Sequence, residues 1–163
     1  MSGLTQERLQ ELLSYDPGTG IFTRVGKRGG RPAGSVAGVT KPDGYVEIRV
    51  DGPSYKAHRL AWLYMTGEWP KDKTDHINRN PTDNRWSNLR EATHSQNISN
   101  SKTRSDSRVG LKGVSPRGSG YVAVLSHGRK QIYLGYFKTP EEAHAAYCDA
   151  ASKWQGEFFR AGT

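Results

Sequence analysis

The chain has few of the features that would tie it to a membrane, a disulfide framework or a zinc site. One cysteine, Cys148, is present among 163 residues, which excludes an intramolecular disulfide and a cysteine-based zinc cluster. No apolar run is long enough to span a bilayer, and no N-terminal apolar stretch resembles a signal peptide. We therefore expect no membrane partner and a cytoplasmic location.

Hydrophobic residues are also scarce, and the charge is unbalanced. They make up 34% of the sequence, which contains 19 glycines, so we expect small cores and many loops. Lys and Arg number 24 against 16 Asp and Glu, which gives a formal net charge of +8. This excess favours a polyanionic partner, with nucleic acid ahead of an anionic membrane. The length suits one compact domain or two small ones.

One stretch carries most of the chemistry. Residues 74–97 have the sequence TDHINRNPTDNRWSNLREATHSQN, in which Asp75 and His76 precede a loop rich in Asn and a short predicted helix. Asn, Asp, Ser and Pro are turn formers, so composition alone would favour an ordinary loop. The same residue types also suit phosphodiester hydrolysis. A carboxylate and an amide oxygen can hold a hard divalent cation, and a neutral imidazole can take a proton from water.

The order and spacing of these residues resemble the HNH endonuclease motif. The matching letters are His76, Asn88 and Asn97, and the last of them is Asn in many phage members of that family. The flanking segments 57–62 (AHRLAW) and 84–90 (NRWSNLR) match as well. The resemblance implies a ββα-metal arrangement, in which a strand, a long loop and a helix surround one metal ion.

The resemblance also implies a role for each residue. His76 is the expected catalytic base, and its second ring nitrogen is expected to donate to a backbone carbonyl of the loop. Asn88 is expected to tie the loop together and hold His76 in place. Asp75 and Asn97 are the expected ligands of Mg²⁺ or of Mn²⁺ or a similar divalent cation. His94 lies one helical turn from Asn97, so an approach of His94 to the metal stays open.

The residues before the motif predict helices and short strands. We expect a helix at 4–15 with Thr5 as its N-cap, a turn at 16–20, and strands at 21–25, 35–39 and 45–50. A second helix is predicted within 55–65, and a strand at 73–77 should deliver Asp75 and His76. The segment YDPGTGIFT resembles phage HNH proteins. The basic loop at 27–32 either contacts phosphates or forms a solvated turn.

A second unit is predicted after a polar linker at 102–110. Strands are expected at 112–115, 120–126 and 130–137, and a helix capped by Thr139 should lay Ala146, Tyr147, Ala150 and Trp154 on one sheet face. The segments GVS, YLGYFKTPEEAHAAYCDAA and GEFFR resemble an AP2 DNA-binding domain. In that family the free sheet face enters the major groove.

The AP2 resemblance places several residues at the DNA. Val122 and Val124 stand where related phage domains often carry Arg, so we expect base readout to lean on phosphate contacts and shape. The residues expected to contact DNA are Lys112, Arg117, Arg129, Lys130, Gln131 and Tyr133.

Together these features predict an α+β protein with two functional parts. The expected domains are an HNH nuclease domain at 1–101 with a small N-terminal sheet, the linker at 102–110, and an AP2-like three-stranded antiparallel sheet plus helix at 111–163. We expect a phage-type HNH homing endonuclease that nicks double-stranded DNA as a monomer or weak dimer. A DNA-binding protein or regulator that no longer cuts stays open, as does a nuclease for RNA or structured DNA.

Overall fold

The computed structural model describes residues 3–101, 103, 107–127, 130–159 and 161. Over these residues the protein is mixed α+β, with short helices and several small antiparallel sheets. The chain falls into two compact units, Met1–Glu91 and Ala92–Thr163. The domain limits expected from the sequence stay a prediction. In the described part, no helix combines the length and the apolar character needed to cross a membrane.

The first unit begins with a helix and a hairpin. Helix α1 (Gln6–Leu12) is capped by Thr5, whose hydroxyl accepts a hydrogen bond from the backbone N–H of Arg8. The expected continuation of this helix to residue 15 is wrong. Strand β1 (Leu13–Asp16) instead pairs with β2 (Ile21–Arg24), because alternate residues of β1 are buried and a strand places them on one face. The expected turn at 16–20 joins the two strands.

A second sheet follows, with β3 (Val39–Thr40), β4 (Val46–Arg49) and β5 (Ser54–Lys56) in antiparallel order. The strand expected at 35–39 is wrong over most of its length. Val36 makes an isolated bridge, and Gly38 has a φ of +110° that interrupts an extended strand. Strand β5 was not predicted.

Helix α2 (Ala57–Thr66) packs under these sheets. It ends at Gly67, whose left-handed φ of +80° is typical of a helix C-terminus. The core of the unit contains the fully buried side chains Leu9, Phe22, Ile48, Leu60 and Leu63. Strand β6 (Lys73–His76) then pairs with β7 (Leu89–Ala92) across a loop that ends in the 3-10 turn Trp86–Asn88. This pairing confirms the expected strand at Asp75 and His76.

The second unit begins with helix α3 (His94–Asn100), whose start is fixed by a reciprocal capping box between Thr93 and Gln96. Strands β8 (Val114–Arg117), β9 (Gly120–His127) and β10 (Lys130–Phe137) form an antiparallel sheet in the order β10-β9-β8.

Helix α4 (Pro140–Gln155) covers one face of this sheet, and Thr139 caps it as expected. The sheet-plus-helix prediction is therefore confirmed for the described residues, whereas likeness to AP2 domains stays a proposal. Ala143, Tyr147 and Ala151 of α4 are buried against the sheet. The expectation for Trp154 is wrong, because its side chain is 57% exposed and lies beyond the helix face that packs.

Candidate active site and nucleic-acid surfaces

Strand β6 delivers two buried ionisable side chains. Asp75 is 6% exposed and His76 is 5% exposed, at the last two positions of the strand. Pairing with β7 fixes the backbone on one side. The backbone N–H of Ile77 donates to the carbonyl of Asn88 at 2.9 Å, so the ordered backbone continues past His76 into the loop.

Asp75 forms a buried ion pair with Arg90, which lies on the neighbouring strand β7. Both Nε and Nη2 of Arg90 lie 3.0 Å from Oδ2 of Asp75. The two side chains are 7% and 11% exposed, so water screens the pair only weakly. Such a pair holds the carboxylate in one place, and removing either member leaves the other charge buried.

His76 is held by a side chain of the loop. Its Nε2 lies 3.0 Å from Oδ1 of Asn84, which is itself 2% exposed. The backbone carbonyl expected for this bond is wrong, because the side-chain amide oxygen of Asn84 occupies that place. Burial lowers the pKa of His76 from its usual value, while the bond to Asn84 acts in the opposite direction. A neutral imidazole at cellular pH follows from the lowered pKa.

Asn88 spans the loop between β6 and β7. Its Nδ2 donates to Oδ1 of Asn78 at 3.0 Å and to the carbonyl of Asp83 at 2.7 Å. Its Oδ1 accepts from the backbone N–H of Asn78 at 3.0 Å. These bonds close the loop on itself. A role for Asn88 in holding His76 stays a prediction.

Aromatic rings surround the imidazole of His76. The ring of His58, from α2, meets it edge-on at a centroid distance of 4.9 Å, and the ring of Tyr45 lies 6.1 Å away. His58 is 6% exposed, and burial lowers its pKa from 6.5 to about 3. His58 is therefore an uncharged side chain that lines the site. The sequence favoured a capping or core-edge residue here, and only the fold reveals the contact with His76.

The β1–β2 hairpin supports the segment that carries Asn84. The hydroxyl of Tyr15 donates to the backbone carbonyl of Asn84 at 2.7 Å, in a buried bond. The N–H of Trp86 donates to the carbonyl of Pro17 at 3.0 Å. Gly20, with φ +75°, lies so close that a Cβ there would sit 2.4 Å from the backbone nitrogen of Arg85. This support was not predicted, although the turn sequence YDPGTG at residues 15–20 is a signal for it.

The donor atoms near His76 suit a cation that keeps most of its water. Among the described residues, no group of three or more His, Cys, Asp and Glu side chains is placed to hold a metal ion. Asp75 supplies one carboxylate, which fits Mg²⁺ because that ion commonly binds proteins through one or two carboxylates and retains waters. Asn97, the other expected ligand, lies partly buried on α3 in the second unit. His94 is exposed on the same helix.

The second unit presents a sheet face opposite helix α4. In the strand register, Val124 is opposite Tyr133 and Ser126 is opposite Gln131, whereas Ala123 and Leu125 point toward α4. Strand alternation therefore places Tyr133 and Gln131 together on the uncovered face.

The remaining expected DNA contacts are distributed differently. Arg117 is exposed at the end of β8 and shares the alternation of the uncovered face. Lys130 alternates with Gln131 and therefore belongs to the side that carries α4. Nζ of Lys112 donates to the carbonyls of Ile98 and Ser101 at 3.2 and 2.9 Å, at the end of α3. Arg129 lies outside the described residues.

A basic concave surface of about 690 Å³ lies on the first unit, beside β4. It includes Arg28 and Arg31 of the basic loop at 27–32, for which phosphate contact and a solvated turn are both expected alternatives. Arg28 pairs with Asp51 at 2.5 Å, so part of this charge is already neutralised. The other basic side chains at this surface are Arg24, Lys41 and Arg49.

Comparison with known families identifies one region. Residues 55–98 match a family model described as HNH endonuclease, and this range contains Asp75, His76, Asn88 and Asn97. No curated protein and no solved structure matches the chain. The family match supports an HNH nuclease that acts on DNA.

Proposed function

We propose that this protein is a metal-dependent HNH endonuclease of the phage homing type, which nicks double-stranded DNA. One observation carries the proposal. The matched range 55–98 includes a buried imidazole, His76, which follows a buried carboxylate, Asp75, at the end of β6. Nuclease chemistry needs this combination of a neutral base and an oxygen ligand.

In the proposed reaction, His76 takes a proton from the water that attacks the scissile phosphate. The lowered pKa of His76 keeps the imidazole able to accept that proton at cellular pH. Asp75 and the amide oxygen of Asn97 would hold Mg²⁺ or Mn²⁺, which supplies charge stabilisation at the phosphate and the leaving oxygen. Arg90 orients Asp75, and Asn88 closes the loop that follows His76.

The second unit would increase the time that the nuclease unit spends bound at its DNA target. An AP2-like sheet that contacts DNA through Arg117, Gln131 and Tyr133 would raise the local concentration of the nuclease unit. The resemblance places Lys112 on or near that sheet face as well. Arg129 and Lys130 are proposed phosphate contacts, and Lys130 lies at a strand end where it is exposed. A single nuclease site per chain favours a nick by a monomer, whereas a weak dimer would cut both strands.

A second candidate is a DNA-binding protein that does not cut. One observation favours it, since Arg90 already balances the charge of Asp75 and thereby competes with a cation for the carboxylate. Both candidates share the DNA partner and differ in the fate of the phosphodiester bond.

The proposal is tested with supercoiled plasmid and phage or bacterial genomic DNA, incubated with Mg²⁺, Mn²⁺ or EDTA. We expect metal-dependent conversion to open circle, and linear product if chains act in pairs. His94→Ala is the histidine control for the variant His76→Ala. It should cut like the parent if Asn97, not His94, holds the metal. DNA binding without cleavage under every metal would favour the second candidate. Cleavage of RNA in preference to duplex DNA would contradict the proposal that double-stranded DNA is the substrate.

A further inference from the structure

We infer that Asn84 is a positioning residue that fixes which ring nitrogen of His76 carries the proton, and that the β1–β2 hairpin holds Asn84 in place to do so. The inference rests on the proposed function, in which His76 is the base. It gives the orienting role, which the family resemblance implies for Asn88, to a loop residue whose side chain contacts the imidazole directly.

The orientation of the Asn84 amide follows from its two hydrogen bonds. Its Nδ2 donates to the backbone carbonyl of Thr82 at 3.3 Å, and its Oδ1 lies 3.0 Å from Nε2 of His76. An amide nitrogen only donates and an amide oxygen only accepts. Turning the amide over would set its oxygen against the carbonyl oxygen of Thr82, with no proton between them. The bond to Thr82 therefore directs Oδ1 toward His76.

The tautomer of His76 follows from that orientation. Because Oδ1 of Asn84 accepts, Nε2 of His76 must donate and carries the ring proton. In the neutral imidazole the lone pair is then on Nδ1. Nδ1 is thus the atom that takes the proton from the attacking water, and the positive charge formed is shared with Nε2–H, whose bond to Asn84 persists throughout.

Burial makes this bond decisive. Asn84 is 2% exposed and His76 is 5% exposed, so water does not readily replace either partner. A buried donor or acceptor without a partner is costly, and this cost disfavours the tautomer with the proton on Nδ1. At a solvent-exposed position both tautomers of His76 would be populated, and only a part of the molecules would carry the lone pair on Nδ1.

The hairpin fixes the backbone of Asn84 from two directions. The Tyr15 hydroxyl binds the Asn84 carbonyl at 2.7 Å, and the backbone bond between Trp86 and Pro17 holds the chain two residues later. Between these bonds Gly20 lies against the segment, where a Cβ would come within 2.4 Å of the Asn84 carbonyl carbon. A side chain at position 20 would push this segment away from the hairpin and move the amide of Asn84 relative to His76.

The first test measures the tautomer directly. The ring ¹⁵N shifts of His76 are recorded by NMR at pH 8, where the imidazole is neutral, in the parent and in Asn84→Ala. We expect the parent to show a protonated Nε2 and an unprotonated Nδ1, and the variant to lose this preference. A parent with the proton on Nδ1, or a variant with the parent's tautomer unchanged, would overturn the inference.

The second test measures single-turnover cleavage at saturating DNA together with DNA affinity. Asn84→Ala should reduce the cleavage rate about 10- to 100-fold, since general bases commonly contribute about 10²- to 10⁴-fold, with unchanged affinity. Asn84→Asp retains an oxygen acceptor for Nε2 but loses the donor to the Thr82 carbonyl, so its rate should lie between that of Asn84→Ala and that of the parent. Gln10→Ala is the control, because it removes an exposed amide side chain on α1 and should leave both the cleavage rate and the affinity unchanged.

The outcomes separate the inference from the proposed function. A parent that has the expected tautomer, loses it in Asn84→Ala and yet cuts no DNA supports the positioning and overturns the nuclease. An active parent whose cleavage rate is equal in Asn84→Ala overturns the inference and leaves the nuclease standing. If Asn84→Ala fails to fold, Tyr15→Phe provides the same two measurements. It removes one hydroxyl that holds the Asn84 backbone, and it should reduce the rate with the affinity unchanged.

Discussion

Acid should destabilise the first unit through His58. Burial lowers the pKa of His58 from 6.5 to about 3, and the groups that face it are His76, Tyr45, Lys56 and Arg59. The unfolded chain therefore binds a proton near pH 6.5, whereas the folded chain does not until about pH 3. The contribution of the buried, neutral His58 to the free energy of unfolding is therefore intact above pH 6.5, and it is lost as the pH falls below 6.5. Between pH 7.5 and pH 5 the loss is about 2 kcal/mol, because about 1.5 pH units at 1.36 kcal/mol each separate pH 5 from the unfolded pKa.

Urea unfolding at the two pH values measures this loss. Three of the four tryptophans lie in the first unit, so fluorescence follows its unfolding. His58→Leu replaces the imidazole with a side chain of similar size that cannot be protonated. We expect the stability of His58→Leu to fall about 2 kcal/mol less than that of the parent on going to pH 5. The carboxylates and His76 titrate in both proteins and cancel in the comparison. An equal fall in both would refute the reasoning.

Three further perturbations have definite outcomes. Asp75→Ala leaves the buried Arg90 without its carboxylate, and it should cost about 3–5 kcal/mol of stability in urea unfolding and abolish metal-dependent cleavage. Gly113→Ala places a Cβ 2.0 Å from the ring of Tyr147, and it should lower the thermal midpoint of the second unit by calorimetry. Tyr133→Ala on the uncovered sheet face should weaken target binding by about 1–3 kcal/mol in a titration, with the salt slope unchanged, because it removes an uncharged contact.

Each of these changes has a matched control. Glu68→Gln alters an exposed carboxylate and should leave stability and cleavage near those of the parent. Gly110→Ala is the control for Gly113→Ala, because Gly110 also has a positive φ, of +71°, but a Cβ there would meet no atom within 4 Å. Any larger decrease of the thermal midpoint in Gly113→Ala therefore reports the clash with Tyr147. Lys130→Ala removes an exposed charge at the start of β10 and should change the salt slope more than Tyr133→Ala does. Equal effects in a variant and its control would contradict the structural reason given.

Local signals predicted much of the fold. Thr5 and Thr139 each cap the helix that they were expected to begin, because a hydroxyl before an amphipathic run satisfies the first free N–H groups. The end of α1 was predicted wrongly, since Leu13 and Tyr15 fit both a helical and an alternating pattern. Pairing with β2, which sets the buried Phe22 opposite Tyr15, decided in favour of a strand.

The chemistry of the site was partly accessible from the sequence. Asp75 and His76 stand out because the Asp-His pair lies in a predicted strand just before an Asn-rich loop, and the family match covers them. Asn84 did not stand out, since several Asn residues share its loop and the sequence does not show which of them contacts His76. Its contact with Tyr15 joins residues 69 positions apart, and only the folded hairpin brings them together. Contacts of this range are set by tertiary packing, which local patterns do not encode.

The measurement that tests the central claim most directly is single-turnover nicking of supercoiled plasmid by the parent and by His76→Ala, at equal protein concentration with Mg²⁺ and with EDTA. Circular dichroism and DNA binding confirm that the variant is folded and still engages DNA. The account predicts metal-dependent nicking by the parent and a loss of about 10²-fold or more in His76→Ala. Nicking by His76→Ala at the rate of the parent would contradict the assignment of His76 as the base.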